Sequence, residues 1–401
     1  MIKIAWRNIL RQKMQSGMTL AAIAFGVSAL MIAGGWVNDV FVKLGEALIH
    51  SQSGHLQIYK AGFYARGART PEKFLIEAEP IKAEVRHSAE VADVMARLTF
   101  SGLLSNYRSD LPIIGEGIEP RPELRLGSSL LITAGRQLEE RDSHGVLIGF
   151  GLAQSLQLKP GDRVTILANA LEGALNSSDL EVVGVFQTFS NDYDARAVKI
   201  PLAAAHELLA RDAGNAVVVS LKRTADTDRV AARLKEQLGP AFEIKTWTDL
   251  NDFYEKTVEL YKGQFGFLQV IILVAVLLSV MNVVNMGVFE RVGTFGTMMA
   301  LGNRRRQVFT LIMTEGALLG IIGSVVGAVL GIALALAISS VGIPMPPPPN
   351  ASLGYRAEIQ IVPGVVLMSI GIGVAATLFA SFFPAVRVSR IPVMEALRAN
   401  A

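Results

Sequence analysis

Four long stretches of the chain consist almost entirely of apolar residues, and the charged residues lie mainly outside them. The stretches cover residues 14–38, 263–289, 307–343 and 359–386. An α-helix needs roughly 20 mainly apolar residues to cross the hydrocarbon core of a membrane, so each stretch is long enough. The pattern predicts a membrane α-helical protein with four transmembrane helices at residues 16–38, 263–289, 307–343 and 359–386.

The segment between the first two predicted spans, residues 39–262, has a different pattern. Short apolar runs such as residues 163–167 ("RVTIL") predict β-strands, and residues 228–238 repeat apolar positions with a helical period. We therefore predict an α+β domain. Its α/β part would combine residues 39–105 with 205–262, and a β-rich insertion would occupy residues from about 105 to 205.

The first 15 residues have two chemically distinct sides. Lys3, Arg7 and Arg11 fall on one side of a helix, and Ile2 and Trp6 fall on another. This pattern predicts an amphipathic helix at the membrane surface. The alternative is a cleaved signal peptide, but its apolar core is usually about 7–15 residues long, which is shorter than the run found here.

Basic residues flank the spans unevenly. Residues 290–306 contain four arginines and one acid, and residues 387–401 contain three arginines and one acid. Because basic residues collect on the cytoplasmic side of membranes, we expect residues 1–15, 290–306 and 387–401 to be cytoplasmic. Both termini would then lie inside. The 39–262 domain and the 344–358 loop would lie outside, so the domain would be extracytoplasmic.

The composition excludes several kinds of chemistry within these 401 residues. There is no cysteine, and the five histidines do not form a metal-ligand motif. The dipeptide Gly-Lys is absent, so there is no P-loop for ATP, and no G-x-S-x-G motif is present. We expect no catalytic residue, no metal and no cofactor in this chain. It is predicted not to be an enzyme, and any energy must come from a partner.

The third span contains a row of small residues and one acid. Its glycines recur every three or four residues, which allows close helix packing either within the chain or at a subunit interface. Glu315 is the one acid within the four predicted spans, and it is either a water-accessible or arginine-paired residue at a helix end or a residue involved in coupling. The glycines concerned are Gly316, Gly320, Gly323, Gly327 and Gly331.

Residues 288–309 lie between the second and third spans and contain an apolar helical stripe. Val288, Val292, Phe295 and Met299 share one side of a helix. We expect this stripe to lie against the inner membrane face or in the groove of a partner. Residues 304–306, three consecutive arginines, would lie at the lipid headgroups.

Two motifs indicate a family. The first includes Glu290, Arg291 and "ALG" at residues 300–302, and the second is "FPAVRVSRIPVMEALR" at residues 383–398. Together with one span, a large external domain and three further spans, they resemble the permeases of the MacB/FtsX/lipoprotein-releasing superfamily of ABC transporters, including LolC/LolE-like proteins. Residues 133–164 resemble the external domain of the same permeases. The acid expected before Ile-Gly is replaced by Thr294, which is followed by Phe295.

The resemblance implies two sets of site residues. The segment 290–306 would be the coupling segment, through which ATP hydrolysis by another protein reaches the spans. Its ATPase-coupling residues would be Glu290, Arg291, Phe295, Gly296, Met299, Ala300, Leu301 and Gly302. The resemblance to lipoprotein-releasing permeases, carried by "SGHLQIYKAGF" at residues 53–63, places a hydrophobic substrate at the first two spans. The residues concerned would be Phe25, Leu30, Trp36, Val40, Phe265, Phe267, Ile271 and Val274.

The resemblance also implies a function and partners. We expect a permease that couples hydrolysis by a separate cytoplasmic ABC ATPase, which binds ATP and Mg, to lipoprotein release or export of a hydrophobic substrate. The alternative is an FtsX-like signalling protein that activates or senses a periplasmic partner without transport. A second permease copy or a paralogue would complete a dimer in the bacterial inner membrane, with membrane lipids and a periplasmic acceptor or adaptor as further partners and no nucleic acid.

Overall fold

The computed structural model describes residues 2–66, 74–126, 130–170, 174–188, 190–346 and 354–398. The chain forms two compact units. The membrane unit contains Met1–Phe41, Val258–Pro344 and Arg356–Ala401, and the large domain contains Val42–Thr257 with Met345–Tyr355.

The helices are numbered along the chain. They are α1 Ile2–Arg11, α2 Lys13–Leu48, α3 Phe63–Arg66, α4 Ala78–Arg86, α5 Pro120–Leu126, α6 Phe150–Leu156, α7 Asn191–Asp194, α8 Leu202–Leu209, α9 Thr227–Leu238, α10 Asp252–Phe289, α11 Val292–Ala300, α12 Arg305–Val341, α13 Pro363–Arg390 and α14 Val393–Arg398. A π-helical turn, Ile49–Ser53, follows α2.

The strands are β1 Leu56–Lys60, β2 Val91–Ser105, β3 Asp110–Ile118, β4 Leu131–Gly135, β5 Gly145–Gly149, β6 Arg163–Asn169, β7 Leu175–Gln187, β8 Ala197–Pro201, β9 Ala216–Leu221, β10 Phe242–Thr246, β11 Ile343–Met345 and β12 Tyr355–Ala357. The first ten form one sheet, and β11 pairs with β12.

Four helices, α2, α10, α12 and α13, are long and apolar enough to cross a membrane. Helix α2 continues ten residues beyond the predicted end of the first span at 38, and α10 begins eleven residues before the second at 263. Residues 39–48 and 252–262 include polar and charged side chains, and they continue the two helices without a break. Helix α13 begins at Pro363, because proline fits the first turn of a helix.

Helix α12 packs through its glycines against two other helices of the same chain. A Cβ added at Gly316 or Gly320 would approach Ser381 or Thr377 of α13 to 3.1 Å or less. A Cβ added at Gly327 would lie 2.7 Å from the carbonyl oxygen of Ala24 in α2. Gly323 and Gly331 likewise face α2, at Ile23 and at Met31 and Ser28. The glycines of α12 therefore pack against other helices of the same chain.

Strand β2 joins two parts of the large domain. Its first half, Val91 to Arg97, pairs with β9, and its second half, Arg97 to Ser105, pairs with β3. Strand β6 pairs with both β2 and β7, so that β2, β3, β8, β5, β7 and β6 close a ring of six strands.

Two hydrophobic clusters correspond to these two parts. The first fills the ring and includes Leu98, Ile113, Val146, Val164 and Val198. The second lies between the β1–β9–β10 region and helices α4 and α9, and its members are Leu56, Ile58, Ile76, Ile81, Val85, Val94, Val217, Val219, Leu221, Val230 and Leu234. The boundary between the two parts of the domain therefore lies inside β2, near Arg97, whereas the sequence predicted it at about residue 105.

Candidate coupling site

The end of the membrane unit that holds α1, α11 and α14 contains a hydrophobic cluster, here called the basal cluster. It combines side chains from α1, α10, α11, α12 and α13. Its buried members are Ala5, Val288, Val292, Phe295, Val308, Leu311, Ile312, Ala385 and Val388. Helix α11 is therefore packed onto the helices of its own chain over a substantial area, and a displacement of α11 must disturb those contacts.

The predicted apolar stripe of residues 288–309 faces inward. Val288, Val292 and Phe295 are 2%, 8% and 2% exposed, and Met299 packs partly buried against the same cluster. The expectation that Val288, Val292 and Phe295 lie on the membrane face or in a partner's groove is therefore wrong. Helices α1 and α13 supply apolar side chains that cover them, which the pattern of one segment could not indicate.

The exposed side of α11 lies towards its carboxyl end. Of the predicted coupling residues, Phe295 and Gly296 are buried, whereas Ala300, Leu301 and Gly302 are exposed, Leu301 to 82%. Gly302 has a φ of +98°, a conformation that glycine adopts without strain, and it ends the helix. Thr294 and Thr297 extend this open surface. Another protein could reach these residues without unpacking the chain.

Glu290 and Arg291, at the junction of α10 and α11, reach in different directions. Glu290 accepts a hydrogen bond from Gln15 Nε2 of α2. Arg291 Nη2 lies 2.8 Å from Glu315 Oε2 of α12, and its Nε donates to the carbonyl of Gly287 at 3.0 Å. Both predicted coupling residues therefore contact helices of their own chain.

Glu315 receives donors from two separate segments. Asn8 Nδ2 of α1 donates to Glu315 Oε1 at 2.7 Å, and Arg291 donates to both carboxylate oxygens, at 3.4 and 2.8 Å. Glu315 is 5% exposed. The structure confirms the predicted pairing of Glu315 with an arginine, but Glu315 is buried and lies ten residues after the first residue of α12, not at the helix end.

A small cavity with both polar and apolar walls lies beside this ion pair. It has a volume of about 40 Å³ and is lined by Asn8, Gln15, Ser16, Arg291 and Glu315, among others. A cavity of this size holds water rather than a nucleotide or a lipid headgroup.

The predicted substrate residues divide into three groups. Trp36 and Phe265 meet edge to face, with ring centroids 5.5 Å apart. Phe25, Phe267, Ile271 and Val274 are exposed on the apolar surfaces of α2 and α10, and Val40 is half-buried. Leu30 is only 4% exposed, so it does not lie on the open surface expected of it. It follows Val27 by one helical turn and shares the buried side of α2.

The large domain contains a buried network of four charges that sequence reasoning missed. Arg97 of β2 lies 3.0 Å from Glu123 of α5 and 3.7 Å from Glu116 of β3. Lys199 of β8 pairs with Glu123 and lies 3.5 Å from Glu116. Arg97 Nη1 also donates to the carbonyl of Gln52, in the π-helical turn after α2, at 2.6 Å. The network therefore fastens that turn to both parts of the domain.

The electrostatics of this network favour the ionised forms. Burial alone would raise the pKa of Glu123, but Lys199 and Arg97 outweigh it and lower that pKa to about 2. The pKa of Arg97 is raised despite burial, because Glu116 and Glu123 stabilise its charge. No helical or strand period marks these residues, since each is a single charge in a different element.

A second polar chain connects the end of α2 to β9. The backbone N–H of Leu221 donates to His55 Nδ1 at 3.2 Å, so the proton of a neutral ring lies on Nε2. Nε2 lies 3.1 Å from Thr224 Oγ1, which donates to Glu46 Oε1 at 2.6 Å. Burial and the nearby His50 lower the pKa of His55 to about 4. Within the described ranges, no three His, Asp or Glu side chains are placed to hold a metal.

These features define a class of membrane protein: four apolar helices, a large α/β domain between the first and second, and a short helix folded onto the bundle between the second and third. Two family models match the chain. The MacB-like periplasmic core domain covers residues 16–237, and the FtsX-like permease C-terminal covers residues 266–393. The chain belongs to this family of ABC transporter permeases.

Three relatives illustrate the similarity. An uncharacterized ABC transporter permease of Methanocaldococcus jannaschii is 24% identical, covering 99% of this chain and 97% of that protein. The macrolide export ATP-binding/permease protein MacB of Bdellovibrio bacteriovorus is 22% identical, covering 98% of this chain and 60% of that protein. The lipoprotein-releasing system transmembrane protein LolC of Xylella fastidiosa is 24% identical, covering 77% of this chain and 78% of that protein.

Proposed function

We propose that this chain is a permease whose spans are driven by a separate cytoplasmic ABC ATPase. The observation that supports this most is the position of α11, which packs into the basal cluster while Ala300 at its end and the following Leu301 and Gly302 are exposed. A protein that binds the exposed side would push on five helices at once. The ATP and Mg would be held by the partner.

The orientation follows from the basic residues at the basal end. Arg304, Arg305 and Arg306 are exposed at the start of α12, and Arg387 and Arg390 lie in the last turn of α13. The positive-inside rule puts this end in the cytoplasm. The large domain would then be periplasmic in the bacterial inner membrane, with both termini cytoplasmic.

The substrate we propose is an acylated lipoprotein or another hydrophobic molecule. Helix α10 buries little of its apolar surface within the chain. Phe267, Ile271 and Val274 are exposed there, and the Trp36–Phe265 ring pair connects α10 to α2. An acyl chain could lie along this surface without exposing polar backbone. A second copy or a paralogue would complete the site as a dimer, and a periplasmic protein would accept the product.

The alternative is a signalling permease that uses the same movement to activate or sense a periplasmic partner. The domain is attached to the spans through α2 and α10, so helix movement would reach it in either case. Reconstitution of the chain with its ATPase in proteoliposomes containing a labelled lipoprotein separates the two. ATP-dependent release to a soluble acceptor supports transport, whereas hydrolysis without release of any hydrophobic substrate supports signalling.

The proposed docking surface has its own test. Leu301→Asp should abolish co-purification of the ATPase with the full chain, because it places a charge on an apolar residue that is 82% exposed directly after α11. Gly302→Trp would be a poor probe, since its positive φ would strain any larger residue. Co-purification of the ATPase with the Leu301→Asp chain at the wild-type level would refute the assignment.

A further inference from the structure

The carboxylate of Glu315 is the point at which three segments of the membrane unit meet. Its donors come from α1, through Asn8, and from the α10–α11 junction, through Arg291, while Glu315 itself belongs to α12. The carboxylate is nearly buried, so these contacts have little competition from water.

The turn between α11 and α12 is one connection between these helices, and the Arg291–Glu315 pair is another. Residues Leu301 to Arg304 form this turn, in which Gly302 adopts a positive φ and the N–H of Asn303 donates to the carbonyl of Met298 at 3.1 Å. The Arg291–Glu315 pair bypasses it, because Arg291 immediately precedes α11 and Glu315 lies three turns into α12.

Beyond Glu315, the packing of α12 leaves little freedom. The next residue, Gly316, meets Ser381 of α13, and Gly327 meets Ala24 of α2. Ser28 Oγ of α2 donates to the carbonyl of Gly327 at 2.7 Å. A displacement that reaches Glu315 is therefore passed to α12, α13 and α2 together.

We infer that Glu315 is a positioning residue for coupling. With Arg291 and Asn8 it makes α11, α1 and α12 move as one body when a protein displaces α11. The inference rests on the proposed ATPase partner and adds to it a polar connection, besides the basal cluster, through which the displacement of α11 reaches α12.

The test compares full chains co-purified with their ABC ATPase. The chain has no cysteine, so Gly263→Cys on α10 and Val341→Cys at the far end of α12 can carry two spin labels. Both positions are exposed. The distance between the labels is measured by pulsed electron resonance without nucleotide and with ATP and vanadate. We expect a nucleotide-dependent shift in the otherwise wild-type chain.

Glu315→Gln should lose this shift while it keeps the ATPase bound and hydrolysing ATP. Glutamine has a similar size but lacks the charge that holds Arg291. Glu315→Asp, which keeps the charge, should restore part of the shift. Glu259→Gln makes the same chemical change at an exposed position on α10 and should leave the shift intact. Arg291→Gln, which removes the other charge of the pair, is the second variant if Glu315→Gln does not accumulate, and it should also lose the shift.

The outcomes are distinguishable. A full nucleotide-dependent shift in Glu315→Gln, with the ATPase bound, overturns this inference and leaves the proposed function standing. Absence of the shift in the wild-type chain, or failure of the ATPase to bind it, counts against the proposed function itself. A merely structural role for Glu315 would lower the yield or the stability of the protein, but the shift would persist in the molecules that fold.

Discussion

Lys199→Met tests whether the buried charge network holds the large domain together. Lys199 is completely buried, pairs with Glu123 and lies 3.5 Å from Glu116. Methionine has a similar length and no charge. The variant would leave two buried carboxylates beside one guanidinium, that of Arg97, so the region would carry an uncompensated negative charge.

The expected effect is large. Removing one partner of a buried ion pair destabilises a protein by about 3–5 kcal/mol. A typical folded domain is stable by about 5–15 kcal/mol, so this loss is a substantial share. Since about 1.4 kcal/mol corresponds to a factor of ten, protected amides should exchange about 100- to 5,000-fold faster. The increase should be concentrated in β2, β3 and β8, which carry Arg97, Glu116 and Lys199.

Hydrogen exchange of the full chain in lipid nanodiscs, followed by mass spectrometry, measures this change. Arg121→Met is the matched control, because Arg121 and Glu140 are 2.9 Å apart but 78% and 57% exposed. An exposed pair contributes about 0–1 kcal/mol, so exchange should change less than about tenfold. Adding Glu116→Gln to Lys199→Met removes the excess charge and should restore part of the protection.

The same network predicts a dependence on pH. The folded pKa of Glu123 is about 2, below its ordinary value of 4.5. The stabilisation is therefore complete above pH 4.5 and is lost as the pH falls from 4.5 towards 2. Two results would refute the reasoning: equal, small effects of Lys199→Met and Arg121→Met, or a double variant no more protected than the single one.

Three further predictions concern packing, titration and docking. Gly327→Val should destabilise the helix bundle by about 1–3 kcal/mol, because its Cβ would lie 2.7 Å from the Ala24 carbonyl; a lower midpoint of denaturation in micelles would show this. His55 has a folded pKa of about 4 against an ordinary 6.5, so the folded state binds fewer protons between these values. Stability should therefore fall as the pH drops from 6.5 to 4, seen as faster exchange in β9 after correction for intrinsic rates. Thr297→Arg on the exposed side of α11 should weaken ATPase co-purification, whereas Phe295→Ala should instead lower the denaturation midpoint of the bundle.

Each of these has a control or an opposing result. Gly17→Ala adds a methyl group within α2 where a Cβ would have no neighbour within 4 Å, and because alanine favours a helix it should not lower the bundle's midpoint. The pH effect should vanish in His55→Asn, and its persistence there would assign it to another group. Loss of ATPase binding in Phe295→Ala with an unchanged midpoint would contradict the separation of docking and packing sides.

The four membrane helices could be predicted from the sequence because a run of apolar residues has a length requirement that is independent of partners. The orientation of Phe295 could not be predicted from the sequence. Helical periodicity identifies an apolar side of α11, but it does not say whether another helix or the membrane covers that side. Glu290 and Arg291 were predicted as coupling residues by motif, yet their contacts depend on Gln15 and Glu315, which lie far away in the chain.

The large domain shows the same limit. Its α+β class could be predicted from the short apolar runs. The ring of strands could not, because it depends on the pairing of β6 with both β2 and β7, and β2 is distant from β6 in the sequence. Arg97 and Lys199 are ordinary charged residues in sequence. Only the convergence of β2, β3, β8 and α5 reveals that they are buried.

Strand β2 also has a consequence for how this domain can be dissected. Because residues 91–97 pair with β9 and residues 97–105 pair with β3, a cut at residue 105 removes one wall of the six-stranded ring. A fragment containing the ring must begin before Val91, and it then carries the unpaired edge that β9 would cover. Exchange of the ring between two homologous permeases is therefore best made with β2 and β9 transferred together, so that no open strand edge is left to aggregate.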